Sequence, residues 1–172
     1  MGKVILDLCS GSGAWSKPYV DAGYDVRCIT LPDDIRLQTF PGKVHGILAA
    51  PPCTVFAQAG FRWPRTDDDY RQALSVVDAC LRFVVTCSPE WWCLENPVGK
   101  LKRWLGRWTM TFNPCDYGDP YTKRTCLWGR FNPPVKNPVA PILGSKIHTF
   151  SNRVKRSITP DGFARAFFQA NP

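Results

Sequence analysis

The chain has 172 residues, 44% of them hydrophobic, and a formal charge of +8 from 22 Lys and Arg against 14 Asp and Glu. That length buries one sizeable core but divides poorly into two, so one domain over residues 1–172 is expected. The charge favours a polyanionic partner, since phosphate neutralisation supplies most non-specific nucleic-acid affinity, although solubility alone accounts for many charges of this size. The cysteines at positions 9, 28, 53, 80, 87, 93, 115 and 126 form no C-x-x-C pair and no zinc-ligand spacing, so free thiols and no metal are expected. With no signal-peptide leader and no membrane-length apolar stretch, a reducing cytoplasm and no membrane partner are expected.

Val4 to Leu8 is a short apolar run ended by the small-residue turn Cys9-Ser10-Gly11-Ser12-Gly13, with helix-compatible residues from Trp15 to Ala22 behind it. This order predicts a strand, a tight loop and a helix that stops at Gly23. Strands are predicted again at Asp25 to Thr30 and Val44 to Ala50. The alternation with helices points to an α/β fold with a mostly parallel central sheet. Asp67-Asp68-Asp69 is expected to cap a long helix from about Tyr70 to Cys87, where Leu74, Val77, Leu81 and Val84 recur at helical spacing. Glu90 to Leu94 is the next strand, with Glu95-Asn96-Pro97 at its end. Thr125 to Gly129 reads as a last strand, residues 131–156 as a proline-rich loop, and Phe163 to Ala170 as a terminal helix with Phe163, Ala166 and Phe167 on one face.

Three constellations carry possible chemistry. Glycines in the Asp7 to Gly13 turn let backbone approach a ligand, and the open helix N-terminus behind them suits a nucleotide or carboxylate; a plain structural turn gives the same pattern. No G-K-[ST] is present, which argues against ATP. Pro51-Pro52-Cys53 follows a buried strand, and in an open parallel sheet ligands bind beyond the strand C-termini, so Cys53 faces either a crevice or, like other cysteines, the core. Glu95 ends a further strand, as either a carboxyl of raised pKa or a solvated loop charge. Three strand ends directing polar groups at one crevice form the pattern of an active site.

In this order the residues resemble the cytosine-5 DNA methyltransferases, from about Val4 to Gly129 with weaker support to Ala170. The D-L-x-x-G-x-G loop is at Asp7 to Gly13, Pro-Pro-Cys at 51 to 53 precedes Gln58-Ala59-Gly60, and Glu-Asn is at 95 and 96. Asp116-Tyr117-Gly118-Asp119-Pro120 with Lys123-Arg124 looks like the family's D-Y-G-x-P-Q-x-R-x-R element. The resemblance implies a Rossmann-like S-adenosylmethionine-dependent methyltransferase fold. It further implies catalytic Cys53, Glu95 and Arg124, with the Cys53 thiolate adding to carbon 6, Glu95 protonating N3 and Arg124 holding the base oxygen. Asn96 would help position the loop carrying Glu95. Asp7, Cys9, Gly11, Gly13, Asp34 and Pro51 would line the cofactor cleft, Asp34 as the acid at the adenine amine.

The implied partner is double-stranded DNA with its cytosine flipped out. Lys100, Lys102, Arg103, Arg107, Lys123 and Arg130 are candidates for its phosphates. The chain departs from the family in three places. The second strand ends in Ile29-Thr30-Leu31 without a ribose-binding acid, Thr122 and Cys126 are the nearest counterparts of the Gln and second Arg, and 131–156 is too short for an independent target-recognition domain. Low sequence specificity, or help from a protein partner, is therefore expected. Such compactness is similar to enzymes of bacteriophage genomes. A non-catalytic DNA-binding module, or an enzyme acting on RNA or a cytosine nucleotide, are the alternative readings.

Overall fold

In the computed structural model, which describes residues 2–40, 42–145 and 153–172, six strands form one sheet in the order β2-β1-β3-β4-β6-β5. They are β1 (Val4–Leu8), β2 (Asp25–Ile29), β3 (Gly46–Ala49), β4 (Trp91–Pro97), β5 (Met110–Phe112) and β6 (Thr125–Arg130). β1 to β4 are mutually parallel, whereas β6 runs antiparallel to both β4 and β5. The mostly parallel α/β sheet expected from the sequence is thus present. β5 is an addition; three residues are too few to show a period-2 pattern.

Helices cover both faces. α2 (Asp67–Cys87) packs one side, where Leu6, Leu8, Ile47, Leu94, Val77 and Phe83 form one buried cluster. α1 (Lys17–Asp21) and α5 (Asp161–Ala170) cover the other, against Ile5, Leu48, Trp91 and Leu127. Alternation along each strand produces this division, since neighbouring residues point to opposite faces. Phe163 and Phe167 of α5 are fully buried, and Ala164 joins them. Two short helices complete the chain, α3 (Lys102–Leu105) and α4 (Arg153–Ser157). No helix among the described residues is long and apolar enough to cross a membrane.

Boundaries shift for local reasons. α2 starts at Asp67 because Thr66 caps it: the Thr66 hydroxyl accepts from the Asp69 amide at 3.1 Å while the Asp69 carboxylate accepts from the Thr66 amide at 2.8 Å. α1 is shorter than the Trp15 to Ala22 expected, starting at Lys17 with Pro18 in its first turn. The loop expected over 131–156 contains α4 at its end, and residues 146–152 lie outside the described residues. Its first part is an extended strap: the amides of Asn137, Val139 and Leu143 donate to the carbonyls of Asp116, Cys115 and Pro120, and Thr122 N–H donates to Gly144.

Candidate active site

Leu8, Ala49 and Leu94 lie side by side in one register row across β1, β3 and β4. At about 4.8 Å between strands, the row spans roughly 10 Å. The glycine turn and the Pro51 to Cys53 turn leave the sheet just beyond it, on one edge, whereas β4, expected to stop at Leu94, runs on to Pro97 against β6 with Glu95 inside the strand. The chain moves from β1 outward to β2, then back past β1 to β3, so this edge is also where strand order reverses. Ligands of open parallel sheets bind at such a reversal.

On the β1 side, Gly11 (φ +56°) and Gly13 (φ +70°) adopt left-handed backbone. A Cβ at Gly11 would meet nothing within 4 Å, and one at Gly13 only Ser16 Oγ at 4.0 Å. Conformation therefore requires glycine here, while the space beside the backbone stays open to a ligand. The Gly11 amide donates to Thr30 Oγ1 at 3.3 Å, which fastens the turn to the end of β2. Asp7 is 1% exposed and accepts from the Ser16 hydroxyl. Burial pushes its carboxyl up to about 7, so Asp7 braces the turn from beneath. Cys9 also has left-handed backbone (φ 59°), and its side chain turns toward α2. There it packs beside Cys80, whose thiol is held well above its ordinary range by Cys9 and by burial. Cys9 itself stays partly exposed.

Asp34 caps the turn Ile35–Leu37, accepting from the Arg36 amide at 2.9 Å and from the Arg36 guanidinium at 2.6 Å. These bonds hold its carboxyl down at about 2. Arg36 also reaches Gln72 and Ser75 of α2, which fixes the acid beyond β2, near enough for its charge to act on Cys9. The open left-handed glycines at the reversal, with a fixed ionised acid beside them, fit a nucleoside-bearing ligand such as S-adenosylmethionine. Directly at the end of β2 stand Ile29, Thr30 and Leu31, with no acid for ribose hydroxyls, as the sequence indicated.

On the β3 and β4 side, Pro51 is buried and Cys53 partly exposed. Asn96, with no exposed surface, donates from Nδ2 to the Pro51 carbonyl at 3.0 Å. Its carboxamide therefore positions the turn carrying Cys53, a longer reach than the expected support of Glu95's own loop. The Cys53 carbonyl accepts from the amides of Phe56 and Ala57 at 3.0 and 2.8 Å. Beyond it, Gln58 N–H donates to Val98 and Lys100 N–H to Phe56, stitching the chain after Cys53 to the chain after Glu95. Gly99 permits this approach, because a Cβ there would lie 1.9 Å from the Phe56 carbonyl oxygen.

Glu95 is 16% exposed, and Lys123 Nζ lies 3.6 Å from its Oε1 with Lys123 itself 18% exposed. Arg124 is exposed instead, and its charge acts on Cys126, which belongs to the α2-side core. Strand alternation explains the choice: Glu95 pairs with Leu127, and Lys123 shares their parity whereas Arg124 does not. Counting two residues back from Thr125 is the signal that identifies Lys123. Arg130 is at the opposite edge of the sheet, paired with Trp92 and bonded to the Pro89 carbonyl at 2.6 Å. Three residues along the strand, roughly 10 Å, separate its row from that of Glu95, and its guanidinium is tied to Pro89 on the far side, so the expected contribution to substrate phosphates at this edge is withdrawn for Arg130.

No family profile matches the sequence, and a search of curated proteins finds no match. Among solved structures the chain is similar to a protein encoded within a prophage of E. coli and assigned as a DNA modification methyltransferase. The TM-score is 0.54 at 19% identity, covering 82% of this chain and 54% of that one. The fold is the Rossmann-like one of methyltransferases. A DNMT2 mutant from Spodoptera frugiperda gives a TM-score of 0.42 at 19% identity, covering 74% of this chain and 50% of that one. The chain thus spans about half the length of these structures.

Proposed function

We propose that the chain transfers a methyl group from S-adenosylmethionine to carbon 5 of a cytosine in DNA, with Cys53 as covalent nucleophile. The observation that supports this reading best is the Asn96 bond to the Pro51 carbonyl, which sets the Cys53 turn beside Glu95 at the reversal edge. When bound, the methyl donor supplies an electrophilic methyl group. The chain's own residues make carbon 5 able to accept it. The Cys53 thiolate forms a C–S bond at carbon 6, and Glu95 gives a proton to N3, so that the displaced electron pair is available at carbon 5. Transfer leaves S-adenosylhomocysteine; loss of the carbon-5 proton to water then restores the double bond and expels the thiolate, and the N3 proton returns to Glu95. Lys123, 3.6 Å from Glu95, is assigned in this reading the role of holding the base oxygen that the sequence suggested for Arg124. A base inside a duplex is out of reach of such a turn, so the cytosine must leave the stack.

The test is covalent trapping. DNA containing 5-fluorocytosine blocks loss of the carbon-5 substituent, so wild-type protein with S-adenosylmethionine is expected to form an adduct that survives denaturing gels, and Cys53→Ser none. Labelled methyl transfer without any trapping would remove the covalent step. Binding of DNA with neither adduct nor transfer would favour the non-catalytic module.

A further inference from the structure

Directly beyond Cys53 the molecule carries a patch that the methyl-transfer chemistry does not use. Two segments meet there, 54–65 and 98–107, joined by the Gln58–Val98 and Phe56–Lys100 hydrogen bonds and the antiparallel bridge of Ala57 with Gly99. Neither segment contains Asp or Glu, while they hold Arg62, Arg65, Lys100, Lys102, Arg103 and Arg107. Most of the chain's excess positive charge is thus gathered at one place. The nearest acids in sequence are Asp67 to Asp69, which open α2 with Asp69 committed to the cap, and Glu95, which is paired with Lys123.

Among these cations stand three large aromatic rings that the fold leaves in water, Phe61 at 46% exposure, Trp63 at 57% and Trp104 at 43%. They are held in place. Trp104 packs against Tyr70 at 5.3 Å and Phe56 at 5.8 Å between ring centroids. Lys100 donates to the Tyr70 hydroxyl at 2.7 Å and sits 5.0 Å over the Phe61 ring. The Arg62 guanidinium lies over Trp63, and Arg65 donates to the Thr54 carbonyl, one residue from Cys53. Aromatic faces exposed together mark a contact site, and single-sign charge between them selects a polyanion over a mixed protein surface. Stacking uses the face of a base, which a closed duplex offers only at its ends, whereas every unpaired base offers one.

We propose that this patch is a stacking platform for the unpaired bases of a nucleic-acid strand, and that the substrate is single-stranded or locally opened DNA in preference to intact duplex. The proposal rests on the cytosine reading above only in naming the target base. The platform lies on the strand's path to Cys53, so bases flanking the target stack on Trp63, Phe61 and Trp104 while Arg and Lys track the phosphates.

Binding of a fluorescently labelled oligodeoxycytidine strand and of a blunt duplex of equal length tests it, using the full chain at several salt concentrations. The single strand is expected to bind at least about tenfold more tightly and to quench tryptophan fluorescence, and Trp63→Ala is expected to weaken it by about 5- to 100-fold with the duplex unaffected. Arg62→Ala, a second exposed site, is expected to lower the slope of log affinity against log salt by about 1. Equal or tighter duplex binding, or unchanged single-strand affinity in Trp63→Ala, overturns the proposal, as does absence of oligonucleotide binding with capture of an acidic protein instead. Trapping by 5-fluorocytosine is scored separately. Single-strand binding lost with Trp63 in a protein that never traps keeps the platform and removes the chemistry; trapping that is indifferent to Trp63 does the reverse.

Discussion

Replacing Asn96 by Ala separates the positioning of Cys53 from the stability of the core. The side chain is fully buried, and its Nδ2 donates to the Pro51 carbonyl at 3.0 Å, while its own Oδ1 has no partner. Truncation leaves the Pro51 oxygen buried and unmet, at about 1–3 kcal/mol, but also removes an acceptor that was already unmet at comparable cost. The two offset, leaving the net worth of the lost hydrogen bond itself, about 1 kcal/mol. For a chain of this size that lowers the thermal midpoint by about 2–4 °C. The effect on catalysis is expected to be much larger, because a turn displaced by about 1 Å costs on the order of a hundredfold in rate. Calorimetry and initial rates of labelled methyl transfer, run on the same preparation with saturating S-adenosylmethionine, give both numbers. Activity within about twofold of wild type would refute the positioning argument. A midpoint lowered by more than about 10 °C would show that Asn96 holds the core together and that any loss of rate is secondary.

Asp7 makes stability depend on pH in an unusual direction. Burial raises its folded pKa to about 7 from 3.8, so the folded state holds a proton that the unfolded chain releases. Its contribution is full below about pH 4 and is lost as pH rises through about 7. Urea midpoints at pH 5 and pH 8 are expected to diverge, with Asp7→Asn gaining on wild type at the higher pH; parallel profiles would contradict this. At the other end of the row, Lys123→Met should lower kcat far more than it raises the KM for S-adenosylmethionine, with Lys123→Arg recovering most of the rate. Steady-state kinetics of both variants decide it, and a normal rate for the Met variant would leave the base oxygen without its proposed partner.

Two strand ends were legible in the sequence because apolar runs of four or five residues stop abruptly at small residues or Pro, after Leu8 and after Ala49. The third was not: the carboxylate at Glu95 reads as the end of its run, whereas pairing with β6 carries β4 on to Pro97. Long-range bonds were not legible. Nothing local at Asn96 signals that its amide crosses to residue 51, and nothing local signals that Cys9 takes left-handed backbone, φ 59°, and packs against the α2-side cluster. The arginine assigned from the motif is exposed because parity along β6, set by pairing with β4, decides which basic side chain reaches Glu95. The three aspartates read as the cap of a helix from about Tyr70, whereas they form its first turn behind Thr66.

The strap after β6 matters for anyone wishing to give this chain a new specificity. β6 delivers the backbone to the far edge at Arg130, and the strap carries it back, so that Ser145 bridges Thr122 beside Lys123. Length inserted at Asn132 emerges behind the molecule; the same length grafted after Ser145 starts next to Thr122 and Lys123, on the edge where the proposed function puts its substrate, so an added reader of sequence there needs the shortest tether.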